Sequence, residues 1–366
     1  MAETVAASES DLRLTLLRRW AAGETVVASD RAQLLAYELA HPDAAAFGLT
    51  AAQGTAQLAA RAQHFQLVSP GVLHLCRQHF GLEDADTLLL TLWRFWLPLA
   101  LELNAERQTL GRPVVQGILG GQGTGKTTLG VVLAQILDYL GDRSVSFSLD
   151  DLYKSYIERQ RLQQTDPRLR WRGPPGTHDV EIGVELLDNL RQANRRKPAI
   201  VPRFDKSLWG GAGDKAQPEI IDTVDVVLFE GWFVGVRPVA DHQFDQAPDP
   251  INTEADRQFA RDCNERLLDY VPLWHRLDRL LILQPRDYRL SRQWRMEAEH
   301  RAIAQGKGGL SDAELADFVE YFWKALHPEL FITPLTRNPL LTDLVVEIEA
   351  NHRLGRIYRP GALDGG

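Results

Sequence analysis

Residues 114–130 read VVQGILGGQGTGKTTLG, and no other stretch limits the fold of this chain as much. A short apolar run with strand character leads into Gly120-x4-Gly125-Lys126-Thr127, the pattern G-x-x-x-x-G-K-[ST]. Leu129, Val132, Leu133, Ile136, Leu137 and Leu140 then recur at helical spacing up to Gly141. A strand that turns through glycines into a helix aims successive backbone N–H groups, and the helix's positive end, at one point. That is a cradle for phosphate. Gly120, Gly121, Gln122, Gly123, Thr124, Gly125, Lys126, Thr127 and Thr128 are therefore the expected ATP-binding set. Lys126 is expected to reach the β- and γ-phosphates, and the Thr127 hydroxyl to hold Mg2+. Gly121, Gly123 and Gly125 are spaced by two, so they do not make the dinucleotide pattern G-x-G-x-x-G.

The rest of the chain supplies the frame that such a turn needs. SVSFSL (144–149), DVVLFE (225–230), RLLIL (279–283) and DLVVEI (343–348) are further apolar runs with helical periodicity between several of them. Strands alternating with helices predict an α/β fold, a mainly parallel sheet flanked by helices. Residues 1–108 show helical patterns only, so the expected division is a helical N-terminal region, 1–108, and a domain carrying the phosphate loop, 109–366. In the first region Ser29-Asp30 is expected to cap a helix that stops at His41-Pro42. Ser69-Pro70 is expected to open another that ends before Gly81, and Asp86 to cap the apolar stretch Leu88–Leu103. Arg94 and Pro98 interrupt that stretch, which reads as a buried, kinked helix and not as a membrane span. His74, Cys76 and His79 lie close together but are too few and too poorly spaced for a zinc site.

The formal net charge is -8, which argues against a nucleic-acid partner. Two cysteines far apart in sequence predict no disulfide framework, and the acidic N-terminus lacks an apolar signal region. The expected location is the cytoplasm.

Where the phosphate goes is read from the strand ends. Ligands of an open α/β sheet lie beyond the carboxyl ends of its strands. The second run ends in SLDDLY, which places Asp150 as a general base for an incoming hydroxyl and points Asp151 elsewhere. The competing reading makes both residues caps of the following turn. Glu230 ends the apolar run VVLFE and suits a position on or near Mg2+. Arg292 and Arg295 are three residues apart, share a helix face, and are expected to neutralise charge during transfer. Gly306–Gly309 follows as a lid hinge, within a lid near 286–314. Arg172, Arg203 and Lys206 stand in loops expected to face the same sheet edge, with His178 and Asp179 placed to bond hydroxyls.

These stretches together resemble the phosphoribulokinase/uridine kinase group of P-loop kinases, from about residue 112 to 360. The resemblance is closest to the D-glycerate 3-kinases of plants and cyanobacteria. It is carried by RGPPGTHD (172–179), PRFDKS (202–207), LFEGWFVG (228–235) and RQWRMEAEHRAIAQGKGGLSDAE (292–314). It implies transfer of the ATP γ-phosphate to the 3-hydroxyl of D-glycerate. Asp150 aligns with the family's base, Thr127 and Glu230 with its magnesium positions, and Arg292 and Arg295 with its lid arginines. The nucleoside kinases of the group carry Asp-His-Pro where this chain has Gly-Pro-Pro-Gly-Thr-His-Asp, which speaks against a nucleoside acceptor. Pantothenate or a sugar phosphate as acceptor, and a nucleotide-driven switch or ATPase, are the alternatives; no N-K-x-D guanine signature is present.

Overall fold

The computed structural model describes residues 2–304 and 311–361. The helical first part holds α1 (Ala2–Ala21), α2 (Ala28–Ala40), α3 (Gly54–Phe80), α4 (Ala85–Thr91) and α5 (Leu97–Leu110). The sheet region follows with β1 (Val114–Gly120), α6 (Lys126–Tyr139), β2 (Ser144–Ser148), α7 (Tyr156–Thr165), α8 (Val180–Leu190), β3 (Ala199–Asp205), β4 (Asp214–Ile221) and β5 (Val226–Gly231). It ends with α9 (Glu254–Arg266), α10 (Val271–Trp274), β6 (Arg279–Pro285), α11 (Leu290–Ala304), α12 (Asp312–Ala325), α13 (Pro328–Phe331), β7 (Leu344–Ile348) and β8 (Leu354–Tyr358).

The main sheet has the order β2-β5-β1-β6-β7-β8, with only β8 antiparallel. All five apolar runs are strands in it. Two elements escaped the sequence pattern. The β3–β4 ribbon stands apart from the sheet, is exposed mainly along β4, and carries Pro202 and Pro218, so no apolar alternation marks it. β8 is a short edge strand with a single fully buried side chain, Ile357.

Side chains alternate across the sheet with the period of a strand. Val114 and Ile118 of β1 face α6 and the N-terminal helices, whereas Val115 and Leu119 face α8, α9 and α12. The first face forms one continuous apolar cluster from Leu17 and Trp20 through Phe65 and Trp93 to Val346. Helices α1–α5 thus share a core with the sheet. They also close its edge: the Asp43 carboxylate accepts from Ile357 N–H at 3.1 Å, and Arg94 donates to Gly355 C=O at 2.9 Å while pairing with Asp43. Edge strands need such cover to avoid pairing with other chains.

Local expectations in this region needed three corrections. Val27, not Ser29, is the N-cap of α2, and Asp30 in its first turn pairs with Arg19. Pro70 lies inside α3, because a face of Leu58, Ala62, Phe65, Ser69, Val72 and Cys76 continues across it. Burying that face outweighs the roughly 3 kcal/mol that an interior proline costs. Asp84, not Asp86, caps α4, and Asp86 pairs with Arg18. The apolar stretch does run as one buried helix, and its irregularity is a π turn at Leu92–Trp96, with Leu97 N–H bonded to Leu92 C=O. The wider turn buries Leu92, Trp93, Phe95 and Trp96 together, just before Pro98. Among the described residues no helix is long and apolar enough to cross a membrane.

Candidate active site

Strand order decides which strand ends meet. β2, β5 and β1 are neighbours, and register sets Ser148 opposite Glu230 and Ile118 opposite Glu230. The phosphate loop, Glu230 and the turn after β2 therefore share one rim of the sheet.

The loop between β1 and α6 has the shape its glycines imply. Gly123 and Gly125 sit at φ 79° and 87°, the left-handed region that glycine adopts freely. Gly123 has a second reason to lack a side chain: a Cβ there would lie 2.6 Å from Trp294 of α11. The Thr124 hydroxyl and the Lys126 ammonium both donate to Gly121 C=O, at 2.9 Å each, and close the loop on itself. Gly125 caps α6 without a side-chain acceptor, so the first-turn N–H groups of that helix have no side-chain partner and suit an anion. Burial lowers the Lys126 pKa, while Glu230 and Asp150 raise it.

The two readings of Asp150 and Asp151 separate cleanly. Ser148 caps a short 3-10 turn, Leu149–Leu152, and Asp151 completes its capping box by accepting from Ser148 N–H at 2.9 Å. Asp151 also accepts from Phe204 N–H at 3.2 Å and pairs with Arg203 at 3.2 Å. Asp150 instead turns into the cleft, with Lys206 Nζ 2.6 Å from its Oδ2 and the Tyr153 hydroxyl bonded to it. Burial pushes its carboxyl up, but Lys206 and the Tyr153 hydroxyl pull it down further, and the net direction is below the ordinary carboxylate range. Glu230 goes the other way: burial raises it, against the pull of Lys126. Glu230 Oε1 lies 3.3 Å from the Thr127 hydroxyl, and its buried Oε2 has no hydrogen-bond partner.

A cleft of about 610 Å3 joins these groups. Lys126, Thr127, Asp150 and Glu230 line one wall, Arg172, Lys206 and Arg295 converge from three other segments, and aromatic rings complete it. Of the arginines of α11 only Arg295 reaches the cleft, over the Phe318 ring and bonded to Glu299. Arg292 pairs with Glu320 at 3.8 Å and borders a separate shallow groove with Arg289 and Met296. The reason is the seating of α11 on the phosphate loop through Trp294, which is 1% exposed. The Trp294 indole donates to Ala350 C=O at 3.0 Å and stacks on His352 with ring centroids 4.6 Å apart. The suggested hinge Gly306–Gly309 lies outside the described residues.

The loop residues expected at the acceptor divide likewise. Arg172 lines the cleft and donates to Gly211 and Ala212 C=O at 2.7 and 3.0 Å. Arg203 is spent on Asp151, Glu219 and Ser146 C=O. Asp179 is held between Lys154 at 2.9 Å and Lys215 at 2.6 Å. His178 is 2% exposed behind Tyr153, whose ring it stacks on at 4.7 Å. Gly176 N–H donates to Tyr270 Oη at 2.9 Å, and the same hydroxyl is hydrogen-bonded to His178 Nδ1 at 2.7 Å. RGPPGTHD is thus a brace: Lys154 N–H bonds Thr177 C=O at 3.0 Å and Asp179 N–H bonds Leu152 C=O at 2.7 Å, tying the loop to the Asp150 turn. Sequence reasoning missed Tyr153, Trp232, Phe318 and Phe322 as cleft residues. Tyr153 stands in the quoted SLDDLY and Trp232 in LFEGWFVG, but nothing in sequence ties Phe318 and Phe322 of α12 to the cleft.

Burial lowers His178 to about 3 and His327 to about 4, so both are neutral in the fold. Their contribution to stability is complete above the unfolded value near 6.5 and is lost as the pH falls toward the folded values. Each should cost about 1.4 kcal/mol per pH unit below pH 6, before most carboxylates begin to titrate. Urea midpoints at pH 6.5, 5.5 and 4.5 should fall steadily, and His327→Gln should make the slope shallower.

No family model matches the chain. The kinase mug58 of Schizosaccharomyces pombe is 32% identical over 231 residues, covering 60% of this chain and 82% of that protein. The chloroplastic D-glycerate 3-kinase of Arabidopsis thaliana is 31% identical over 231 residues, 60% of this chain and 49% of the plant protein. Among solved structures, a D-glycerate 3-kinase from Cryptococcus neoformans superposes with a TM-score of 0.64 at 26% identity, covering 71% of this chain and 96% of that one. With a phosphate loop, two strand-end carboxylates and a cationic cleft on one sheet edge, the chain belongs to the family of ATP-dependent small-molecule kinases that holds these proteins, within the phosphoribulokinase/uridine kinase group of P-loop kinases.

Proposed function

We propose that the chain transfers the γ-phosphate of ATP to the 3-hydroxyl of D-glycerate, giving 3-phospho-D-glycerate and ADP. The observation that carries this reading is the convergence of Arg172, Lys206 and Arg295 on a cleft whose inner wall is Asp150 and the phosphate loop. A small carboxylate bearing a primary alcohol answers that arrangement: the cations hold its anionic end and Asp150 meets its hydroxyl. The names of the plant and fungal relatives agree with it.

In the reaction the loop N–H groups, Lys126 and the start of α6 hold the triphosphate. Asp150, ionised at neutral pH, accepts the proton of the 3-hydroxyl. The freed oxygen bonds to the γ-phosphorus as the bond to the β,γ-bridging oxygen breaks and ADP leaves. Arg295 faces the negative charge that spreads over the transferring group. Thr127 and Glu230 fit Mg2+: both offer oxygen, and the Glu230 carboxylate keeps a buried oxygen without a partner. When bound, the ion neutralises phosphate charge.

An acceptor panel tests the proposal. With Mg-ATP and D-glycerate, L-glycerate, pantothenate, a sugar phosphate and uridine in parallel, ADP release should rise chiefly with D-glycerate. Equal rates with and without glycerate would sink it.

A further inference from the structure

Asp150 is surrounded by groups from every side. Lys206 reaches it from the β3–β4 connection, Tyr153 from its own turn, and His178 from the brace loop. Lys126 comes from the phosphate loop, Glu230 from β5, and Arg295 lines the cleft from α11. Among the described residues only Lys206 makes a direct ion pair with it, at 2.6 Å. The two partners differ in freedom. The Asp150 side chain is 26% exposed on a capped turn, whereas that of Lys206 is 60% exposed. The segment after Lys206 holds Gly210, Gly211 and Gly213, all at positive φ. An ion pair with one partner mostly in water is weak, and a lysine reorients easily on its four-carbon stem. A carboxylate neutralised by an ammonium is a poor proton acceptor.

This inference rests on Asp150 as base and on an anionic acceptor. We propose that Lys206 is a counter-ion switch: it holds the Asp150 carboxylate in the free enzyme, and the carboxylate of an arriving acceptor draws its ammonium away. Asp150 then becomes a strong base only when the alcohol to be phosphorylated is in place. Without acceptor the base is quenched, and a water molecule in the cleft is not activated toward ATP. The second role of Lys206, binding the acceptor's carboxylate, and the first, restraining the base, are thus one movement between two anions.

The test compares the wild type, Lys206→Met and Lys206→Arg with ATP saturating. In the wild type the acid limb of kcat should lie about one pH unit above that of kcat/KM for D-glycerate, because the first reports the complex and the second the enzyme without acceptor. In Lys206→Met the kcat/KM limb should move up toward the kcat limb. ADP release without acceptor should increase, and KM for D-glycerate should rise about ten- to a hundredfold. Lys206→Arg, which keeps the charge, should hold KM closer to the wild type. An unmoved kcat/KM limb in Lys206→Met overturns the switch. So does a raised KM for ATP with the glycerate KM unchanged, which would assign the lysine to the nucleotide. Asp150→Asn separates the failures: retained turnover there removes the base itself, whereas loss of turnover with a silent Lys206→Met removes the switch alone.

Discussion

Asp150→Asn is expected to lower kcat by about 10²–10⁴-fold, the range for loss of a general base, while ATP binding changes little. The substitution is isosteric and leaves the phosphate loop, Lys126 and Thr127 untouched. Asn cannot take the hydroxyl proton. Single-turnover ADP formation and a separate ATP titration check the two halves. Asp151→Asn is the informative control. Asp151 accepts from Ser148 and Phe204 N–H and pairs with Arg203, so its loss should show first in stability and only secondarily in rate. If Asp150→Asn turns over normally, the proton goes elsewhere and the cleft has been assigned the wrong base.

The largest effect on stability should come from a residue far from the chemistry. Glu38 of α2 is 4% exposed; it pairs with Arg13 at 2.9 Å and accepts from the Trp93 indole at 3.0 Å. Arg61, 9% exposed, lies over Trp93 and has Glu38 as its main counter-charge. Burial lowers both arginines, but guanidinium does not give up its proton in proteins. Glu38→Ala would leave two buried cations and an indole N–H without their carboxylate. Breaking a buried pair from one side costs about 3–5 kcal/mol. The denaturant midpoint should fall accordingly with the slope unchanged. A loss below about 1 kcal/mol would mean that the guanidiniums find water in the folded state. Because α1–α5 share a core with the sheet and cover strand β8, this loss should reach the kinase activity through unfolding.

Both residues mark the boundary between what a sequence shows and what it hides. The phosphate loop and five strands were legible because each depends on neighbours in sequence: glycines that permit one backbone path, and apolar runs, those of β1, β5 and β6 buried on both faces of a parallel sheet. β8 and the β3–β4 ribbon were not, since few of their side chains are fully buried and no continuous apolar run marks them. The caps shifted to Val27 and Asp84 because α2 and α4 are placed by packing, which sets helix ends more firmly than a single side-chain bond.

The same division runs through the site. Chain order alone brought Gly120–Thr128, Asp150 and Glu230 to strand ends, and the charges of Arg172 and Lys206 to nearby loops. Which of two adjacent aspartates faces the cleft was decided by Phe204 N–H and Arg203, more than fifty residues away, which claim Asp151. Which arginine of α11 points inward was decided by Trp294 lying on Gly123. Tertiary partners likewise turned Arg203, His178 and Asp179 into supports. By itself the sequence determined the backbone cradle and the sheet that carries it, because those follow from local conformational freedom and burial. Only the tertiary structure chose among equivalent charged side chains, because a charge takes its direction from the partner that reaches it first, and here those partners come from other parts of the chain.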